Sequence, residues 1–355
     1  MAAVSCFEVA TDPLTGYRQW RATRDINCGE LICRETPEYW AYKPSTLDSA
    51  TNGHCYTCGS LSSGCFIKCD TCTITYCSQS CKLTSASSHQ YICYEIECNV
   101  DVHMMLANDD RGYKLLLLKI YATILERMIL SIKPGGASHG SDSVDSIAND
   151  FLSKYHHNDF CATQHCIRTG LSNFDDDIFR NMIGPAYYSS YLHDDMEIIK
   201  KCFLAHEFFI NSIVFTELYV RKAVSTFVMN ALATSMSSVL SDQTVVFTGL
   251  GLYKLQSKMN HSCDSNTATC GDQTSCEIKI YAINAIASGE EITTSYIAKG
   301  RYSLPRDMSI KKRYFKLRQF LFDCRCTICV DEHEGLLLDT SSSSSDEDSQ
   351  GNTNM

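Results

Sequence analysis

The sequence lacks the features of exported and membrane-spanning proteins. Its N-terminal residues contain no basic segment followed by an apolar run, so no signal peptide is predicted. No uncharged apolar stretch reaches the roughly 18 residues of a transmembrane helix, so no membrane partner is expected. We therefore expect a reducing compartment, which places the protein in the cytoplasm, the nucleus or both.

An excess of positive charge is also absent. The formal net charge is −10, and residues 331–355 hold seven acidic side chains and no Lys or Arg. Without these seven charges the net charge is −3, so nucleic-acid binding is not expected. The basic run from Arg306 to Arg318 is more typical of a solvated helix face, although it also suits an acidic protein partner. Residues 333–355 contain SSSSSDEDS and predict a disordered acidic tail.

Cysteine, in contrast, is abundant, with 21 in 355 residues. Such a content indicates either the disulfides of a secreted protein or the metal sites of an intracellular one. Because the sequence shows no export signal, it favours metal.

The largest group of cysteines lies between residues 55 and 93. It contains four pairs of metal-ligating residues: Cys55 and Cys58, Cys69 and Cys72, Cys77 and Cys81, and His89 and Cys93. Zinc takes four nitrogen or sulfur ligands in a tetrahedron, so these eight ligands predict two zinc ions. A disulfide framework is the alternative, which such regular pairing disfavours.

A third zinc site is predicted near the C-terminal end. Cys324, Cys326 and Cys329 supply three ligands, and Cys263 is the candidate for the fourth. The alternative is a cysteine trio that binds no metal. Three zinc ions are expected in all.

The first group resembles the MYND zinc finger, whose pattern ends in the same Cys-x3-Cys-x7-His-x3-Cys spacing. The resemblance implies two cross-braced sites, formed by Cys55, Cys58, Cys77 and Cys81, and by Cys69, Cys72, His89 and Cys93. It also implies binding of proline-rich partner peptides. Both sites would be closed, so catalysis is expected elsewhere.

Two further segments, MNHSCDSN (259–266) and GEEITTSY (289–296), resemble the most specific signatures of the SET domain. Together with the finger, residues 1–332 resemble the SET and MYND domain-containing protein-lysine methyltransferases. The resemblance implies an α+β, β-rich SET fold with a pseudoknot. A MYND finger and a helical insertion would interrupt this fold, and a cysteine-rich post-SET zinc segment would follow it.

The implied division of the chain follows the same order. Its parts are the N-terminal SET part (1–48), the MYND finger (55–93), the helical insertion (94–240), the C-terminal SET part (245–300), the post-SET segment (301–332) and the acidic tail (333–355). Apolar spacing predicts a helix from Tyr113 to Leu130 and mostly helical structure from Phe151 to Met236. A basic helix is predicted from Arg306 to Phe322, and β structure at 16–37 and 276–296.

An internal echo links the two β regions. Ala22, Ile26, Gly29, Glu30 and Ile32 recur in type and spacing as Ala282, Ile286, Gly289, Glu290 and Ile292. One interpretation is that β-turns share turn chemistry. The other is a single β domain of two similar halves, split by a long insertion.

The resemblance also implies an active site that uses S-adenosylmethionine as the methyl donor. Tyr296 matches the catalytic tyrosine at the bottom of a lysine channel. The donor-binding residues implied are Arg18, Asn230, Asn260, His261 and Phe322. A tyrosine hydroxyl there can orient the amine, while the cofactor carries the activated methyl group. The nucleophile must be neutral lysine, which costs roughly 4–5 kcal/mol at pH 7, and an apolar channel lowers that cost.

The sequence leaves two functions open. The first is a protein-lysine N-methyltransferase, acting as a monomer on histones or other proteins. The second is a non-catalytic scaffold that binds partner proteins, with a role in transcriptional regulation. Tyr17 and Gln19 replace two glycines that the family has beside the donor, and this replacement favours the scaffold because glycine permits close backbone approach.

Overall fold

The computed structural model describes residues 5–13, 18–42, 54–60, 66–72, 74–93, 99, 104–106, 112–131, 185–203, 213–240, 243–297, 305–317, 320 and 322–332. The strands in these ranges are β1 (Phe7–Thr11), β2 (Arg18–Ala22), β3 (Leu31–Glu35), β4 (Tyr39–Tyr42), β5 (Ile67–Lys68), β6 (Thr75–Tyr76), β7 (Ala231–Leu240), β8 (Gln243–Leu252), β9 (Asn260–His261), β10 (Thr267–Gly271), β11 (Ile278–Ala282) and β12 (Glu291–Thr294). The helices are α1 (Gln79–His89), α2 (Tyr113–Ser131), α3 (Pro185–Phe203), α4 (Glu217–Asn230) and α5 (Ile310–Leu317).

The sheets join the two ends of the chain. Their strand orders are β1-β2-β12-β9, β10-β11-β3, β4-β8-β7 and β5-β6. Every N-terminal strand from β2 to β4 therefore has a C-terminal partner, since β2 pairs with β12, β3 with β11 and β4 with β8. The finger and the helices consequently interrupt one β unit rather than follow it.

The echoed segments 22–32 and 282–292 pack against each other as two matching corners. Ile26 and Ile286 lie at the centre and exchange two backbone hydrogen bonds of 2.9 Å. Equivalent 2.8 Å bonds flank this pair, from Gly29 N to Ala282 O and from Gly289 N to Ala22 O. Both turn glycines have φ of 84°, a conformation that side chains disfavour. These reciprocal bonds support the interpretation of one domain with two similar halves.

The finger consists of the short β5-β6 hairpin and α1. Ser78 caps α1, because its hydroxyl accepts a hydrogen bond from Cys81 N. Helix α2 packs on the finger and on β4, and is buried on nearly every side, as an apolar helix must be. It also contacts α3 and α4. No helix in the described part of the chain is long and apolar enough to cross a membrane.

Several sequence predictions of local structure are confirmed. The helix predicted from Tyr113 to Leu130 is α2, and the region 276–296 contains β11 and β12. The two strands predicted within 16–37 are β2 and β3, but they belong to different sheets and do not pair with each other. The predicted basic helix is present as the shorter α5, preceded by a 3-10 turn at Pro305–Asp307.

The prediction of helical structure up to Met236, and of a helical insertion up to residue 240, is wrong at its C-terminal end. Helix α4 ends at Asn230, and Ala231–Leu240 is a strand paired along its whole length with β8. An apolar segment alone does not distinguish a helix from a buried strand, and the serines and threonines of β7 are weak helix formers. Residues 151–184, Tyr17 and the tail 333–355 lie outside the described residues.

Candidate active site and metal centres

The structure brings the predicted zinc ligands together in three groups. In each group the four ligand atoms lie within 4.8 Å of one another. The groups are Cys55, Cys58, Cys77 and Cys81; Cys69, Cys72, His89 and Cys93; and Cys263, Cys324, Cys326 and Cys329. The first two have the cross-braced pairing that the MYND resemblance implied.

The distances inside these groups fit zinc. Two sulfurs each about 2.3 Å from a tetrahedral zinc ion lie about 3.8 Å apart. The observed Sγ–Sγ distances are 3.6 Å for Cys58 and Cys77, 3.7 Å for Cys69 and Cys93, and 3.9 Å for Cys263 and Cys324. Burial also lowers the pKa of His89 to about 4, so its imidazole is neutral at pH 7, which is the form that binds metal. Each group can therefore hold one zinc ion.

The segment that contains Asn260 and His261 is threaded beside the GEE segment. Strand β9 pairs in parallel with β12, and Ser262 N donates to Thr294 O at 3.0 Å. Asn266 joins the same two segments, because Thr293 N donates to its Oδ1 at 2.8 Å and its Nδ2 donates to Glu291 O at 2.8 Å. These bonds fix the position of the residues predicted to bind the donor.

Hydrogen bonds orient the side chain of Asn260. Its Nδ2 donates to Arg18 O at 3.1 Å and to Glu291 Oε1 at 2.7 Å. Because both partners are acceptors, the nitrogen must face them and Oδ1 must point elsewhere. Asn260 Oδ1 is thus directed away from Arg18 and Glu291 as a hydrogen-bond acceptor.

His261 connects the third cysteine group to Tyr296. Its Nδ1 accepts a hydrogen bond from Tyr296 N at 3.0 Å, and its Nε2 lies 3.2 Å from Cys263 Sγ. Burial lowers the pKa of His261 to about 4, so the ring is neutral at pH 7. With Nδ1 as acceptor, the proton is on Nε2 and faces the sulfur.

Tyr296 lies in an aromatic cluster. Its ring centroid is 4.9 Å from that of Phe320, 5.2 Å from His261 and 6.1 Å from Phe322. Its hydroxyl donates to Met259 O at 2.6 Å. This hydrogen bond fixes the position of the hydroxyl oxygen.

The structure brings together five of the six residues predicted for catalysis and donor binding. Tyr296, His261 and Phe322 are in ring contact, and Asn260 joins them to the backbone of Arg18. The sixth, Asn230, is buried at the last position of α4, next to β7.

Sequence reasoning missed one residue near this site, Phe320, and singled out another, Gln19, without showing that it is buried. The ring of Phe320 lies closer to Tyr296 than those of His261 and Phe322, and its signal in the sequence was its spacing two residues before Phe322. Gln19, which the sequence resemblance matches to a glycine position, is only 6% exposed on β2. Its buried side chain occupies volume that glycine would leave open.

The fold agrees with a comparison with known protein families. Residues 18–297 match the model of the SET domain, so the chain belongs to the SET domain family. The resemblance inferred from the sequence is therefore confirmed. The SET fold, β-rich and of the α+β class, follows from this membership and from the sheets described above.

The relatives include proteins that combine SET and MYND domains. The chain is 24% identical over 346 residues to a SET and MYND domain-containing protein from Dictyostelium discoideum, covering 93% of this chain and 61% of that protein. It is 36% identical over 85 residues to protein-lysine N-trimethyltransferase SMYD5 from Mus musculus, covering 24% of this chain and 20% of that protein. The crystal structure of the SET domain of LSMT bound to lysine and AdoHcy matches with a TM-score of 0.34 at 9% identity, over 90% of this chain and 53% of that chain. The chain thus spans less than two thirds of the length of these proteins.

Proposed function

We propose that this protein is an S-adenosylmethionine-dependent protein-lysine N-methyltransferase. The observation that carries the proposal is the fixed hydroxyl of Tyr296, which lies in an aromatic cluster directly beside the threaded segment of Asn260 and His261. The SET family membership and the methyltransferase names of the relatives support the same activity.

The aromatic cluster suits a lysine side chain. Phe320 and Tyr296 would flank the methylene stem with apolar surface. An apolar surround disfavours the ammonium form, which lowers the pKa of the amine and favours the neutral nucleophile. The Tyr296 oxygen can then accept a hydrogen bond from the amine and align its lone pair.

The residues of the threaded segment suit the amino-acid part of the donor. Asn260 Oδ1 is a directed acceptor for an ammonium group, and Arg18 adds positive charge for a carboxylate. The ring of Phe322 supplies a flat apolar face for a nucleobase. When bound, S-adenosylmethionine supplies the activated methyl group. The three cysteine groups would hold zinc in a structural role.

We also propose a substrate class, a binding partner and a cellular location for this protein. The substrate would be a lysine of a histone or another protein, and the finger would bind proline-rich peptides. We expect a monomer in the cytoplasm, the nucleus or both.

A non-catalytic scaffold is the second candidate, favoured by one observation. The buried side chain of Gln19 stands where the family has a glycine beside the donor. If that side chain fills the donor pocket, the fold persists without methyl transfer, and the finger carries the function.

A methyl-transfer assay with matched tyrosine variants tests the proposal. Zinc-replete protein is incubated with methyl-labelled S-adenosylmethionine and histone or peptide-array substrates. We expect incorporation into lysine, and a loss of about 100-fold in Tyr296→Phe. Tyr253→Phe is the control, because it also removes a tyrosine hydroxyl that donates to a backbone carbonyl at 2.6 Å, in this case that of Cys276. No incorporation by the natural protein, or full activity of Tyr296→Phe, would refute catalysis at this site.

A further inference from the structure

Glu35 is a partly buried carboxylate that the proposed reaction does not use. It is the last residue of β3, on the N-terminal side of the chain. Its Oε1 accepts a hydrogen bond from Leu255 N at 2.7 Å, and its Oε2 accepts one from Gln256 N at 2.8 Å. One carboxylate therefore clamps two consecutive backbone amides more than 200 residues away in sequence.

The clamped amides open a short 3-10 turn, Gln256–Lys258. The first amides of such a turn have no partner within it and need an external acceptor. Leu255 occupies the N-cap position and makes no capping bond with its own side chain. Glu35 thus acts as the missing cap, and charged acceptors make stronger caps than neutral ones.

A second long-range bond holds the same turn from another side. Trp20 is fully buried, and its Nε1 donates to Leu255 O at 3.0 Å. The amide of Leu255 is held by β3 and its carbonyl by β2. The peptide groups of Leu255 are therefore fixed at both ends by the N-terminal half of the domain.

This turn leads directly into the candidate active site. Met259 N donates to Gln256 O at 3.0 Å, so Met259 follows any movement of the turn. The carbonyl of Met259 accepts the bond from the Tyr296 hydroxyl, and Asn260 is the next residue. A shift of the turn would move the acceptor of the tyrosine and the donor-binding asparagine together.

We infer that Glu35 is a positioning residue, which holds the turn before Asn260 and thereby sets the geometry of the donor site. This inference rests on the proposed function. It differs from a purely structural cap in a measurable way. A structural cap changes the stability of the fold, whereas a positioning residue changes donor affinity in protein that is still folded.

Calorimetric titration of the zinc-replete full chain with S-adenosylmethionine tests the inference, well below the unfolding temperature of every variant. We expect Glu35→Ala to weaken donor binding at least tenfold. Glu35→Gln retains one acceptor oxygen and should fall between Glu35→Ala and the natural protein. Glu38→Ala, an exposed glutamate three residues further along, is the control and should bind as the natural protein does.

Hydrogen exchange provides a readout that does not need the donor. In Glu35→Ala, the amides from Leu255 to His261 should exchange faster, while those of the finger are unchanged. If the natural protein does not bind the donor, the proposed function fails, and the exchange pattern still decides whether Glu35 holds the turn. Natural donor affinity and unchanged exchange in Glu35→Ala, or a lowered unfolding temperature alone, would overturn the inference.

Discussion

Partly buried polar residues orient the groups that the proposed reaction needs. The side-chain amide of Asn260 donates two hydrogen bonds, one to Arg18 O and one to Glu291 Oε1. The ring of His261 accepts a hydrogen bond from Tyr296 N at Nδ1 and contacts Cys263 Sγ through Nε2. Fixed dipoles of this kind need no reorganisation when charge moves, which is how a protein lowers a barrier with few residues.

Replacement of Asn260 by its acidic isostere tests this orientation. In Asn260→Asp, carboxylate oxygens would face the carbonyl of Arg18 and the carboxylate of Glu291, so two hydrogen bonds become repulsive contacts. We expect the free energy of unfolding to fall by about 2–3 kcal/mol and donor binding to be lost. Urea unfolding and calorimetry measure the two effects.

The control for this variant is Asn27→Asp, at an exposed turn position with a comparable change of charge. It should alter the free energy of unfolding by less than about 0.5 kcal/mol. Equal stability of the two variants would show that the Asn260 bonds do not hold the segment.

Sequence patterns predicted some of these residues and not others. Tyr296, Asn260 and His261 stand in short continuous segments whose order is specific, so they could be recognised. Glu35 could not be recognised, because its partners lie about 220 positions away and are backbone amides, which leave no trace in side-chain identity. The sequence also could not show that the side chain of Gln19 is buried.

At the scale of elements, α2 joins the finger to the β unit through one buried lysine. Lys119 Nζ donates to Tyr56 O at 2.8 Å and to Trp40 O, and it lies 3.7 Å from the centroid of the Tyr56 ring. Burial lowers the pKa of Lys119 to about 7. Tyr56 belongs to the finger and Trp40 to β4, so Lys119 connects three elements at once.

Removal of this ammonium should loosen the docking of the finger. In Lys119→Met, the carbonyls of Trp40 and Tyr56 lose their donor, and relief from burying a charge offsets part of the loss. We expect the free energy of unfolding to fall by about 2 kcal/mol, measured by urea denaturation. Lys311→Met, at an exposed position of α5, should change it by less than about 0.5 kcal/mol. A stability of Lys119→Met equal to that of the control would contradict the connecting role.

Measuring the zinc content of cysteine variants distinguishes the roles of the three cysteine groups. We expect three zinc ions per natural chain, two in Cys69→Ser and in Cys326→Ser, and three in the control Cys270→Ser. Donor affinity should fall at least tenfold only in Cys326→Ser, because Cys326 shares its group with Cys263, the partner of His261. An equal effect of Cys69→Ser on donor binding would contradict this division of roles.

The apolar periodicity of the sequence predicted helix α2 but not strand β7. Helix α2 was predictable because its apolar residues recur at helical spacing over 19 residues. Strand β7 was not, because its ten residues become a strand by pairing with β8, which is a tertiary effect. The separate pairing of β2 and β3 was likewise hidden, since a turn between two strands usually signals a hairpin.

On the scale of the whole molecule, two similar β halves meet in a nearly reciprocal contact. The repeated pattern of residues 22–32 and 282–292 left this relation open as one of two interpretations, and the paired backbone bonds of Ile26 and Ile286 support it. The finger and the helices enter between the halves, yet the N-terminal half still contributes Glu35, Trp20 and the carbonyl of Arg18 to the candidate site. The site therefore exists only when both ends of the chain have come together.

Calorimetric binding of S-adenosylmethionine to the zinc-replete protein tests the central claim most directly. The Tyr17→Gly, Gln19→Gly variant is measured beside it. We predict binding by the natural protein with a Kd on the order of 1 μM to 1 mM, the range of KM values common among enzymes, and at most a small gain in the variant. No binding by the natural protein, with binding restored in the variant, would contradict the claim and identify the fold as a scaffold that has lost its donor.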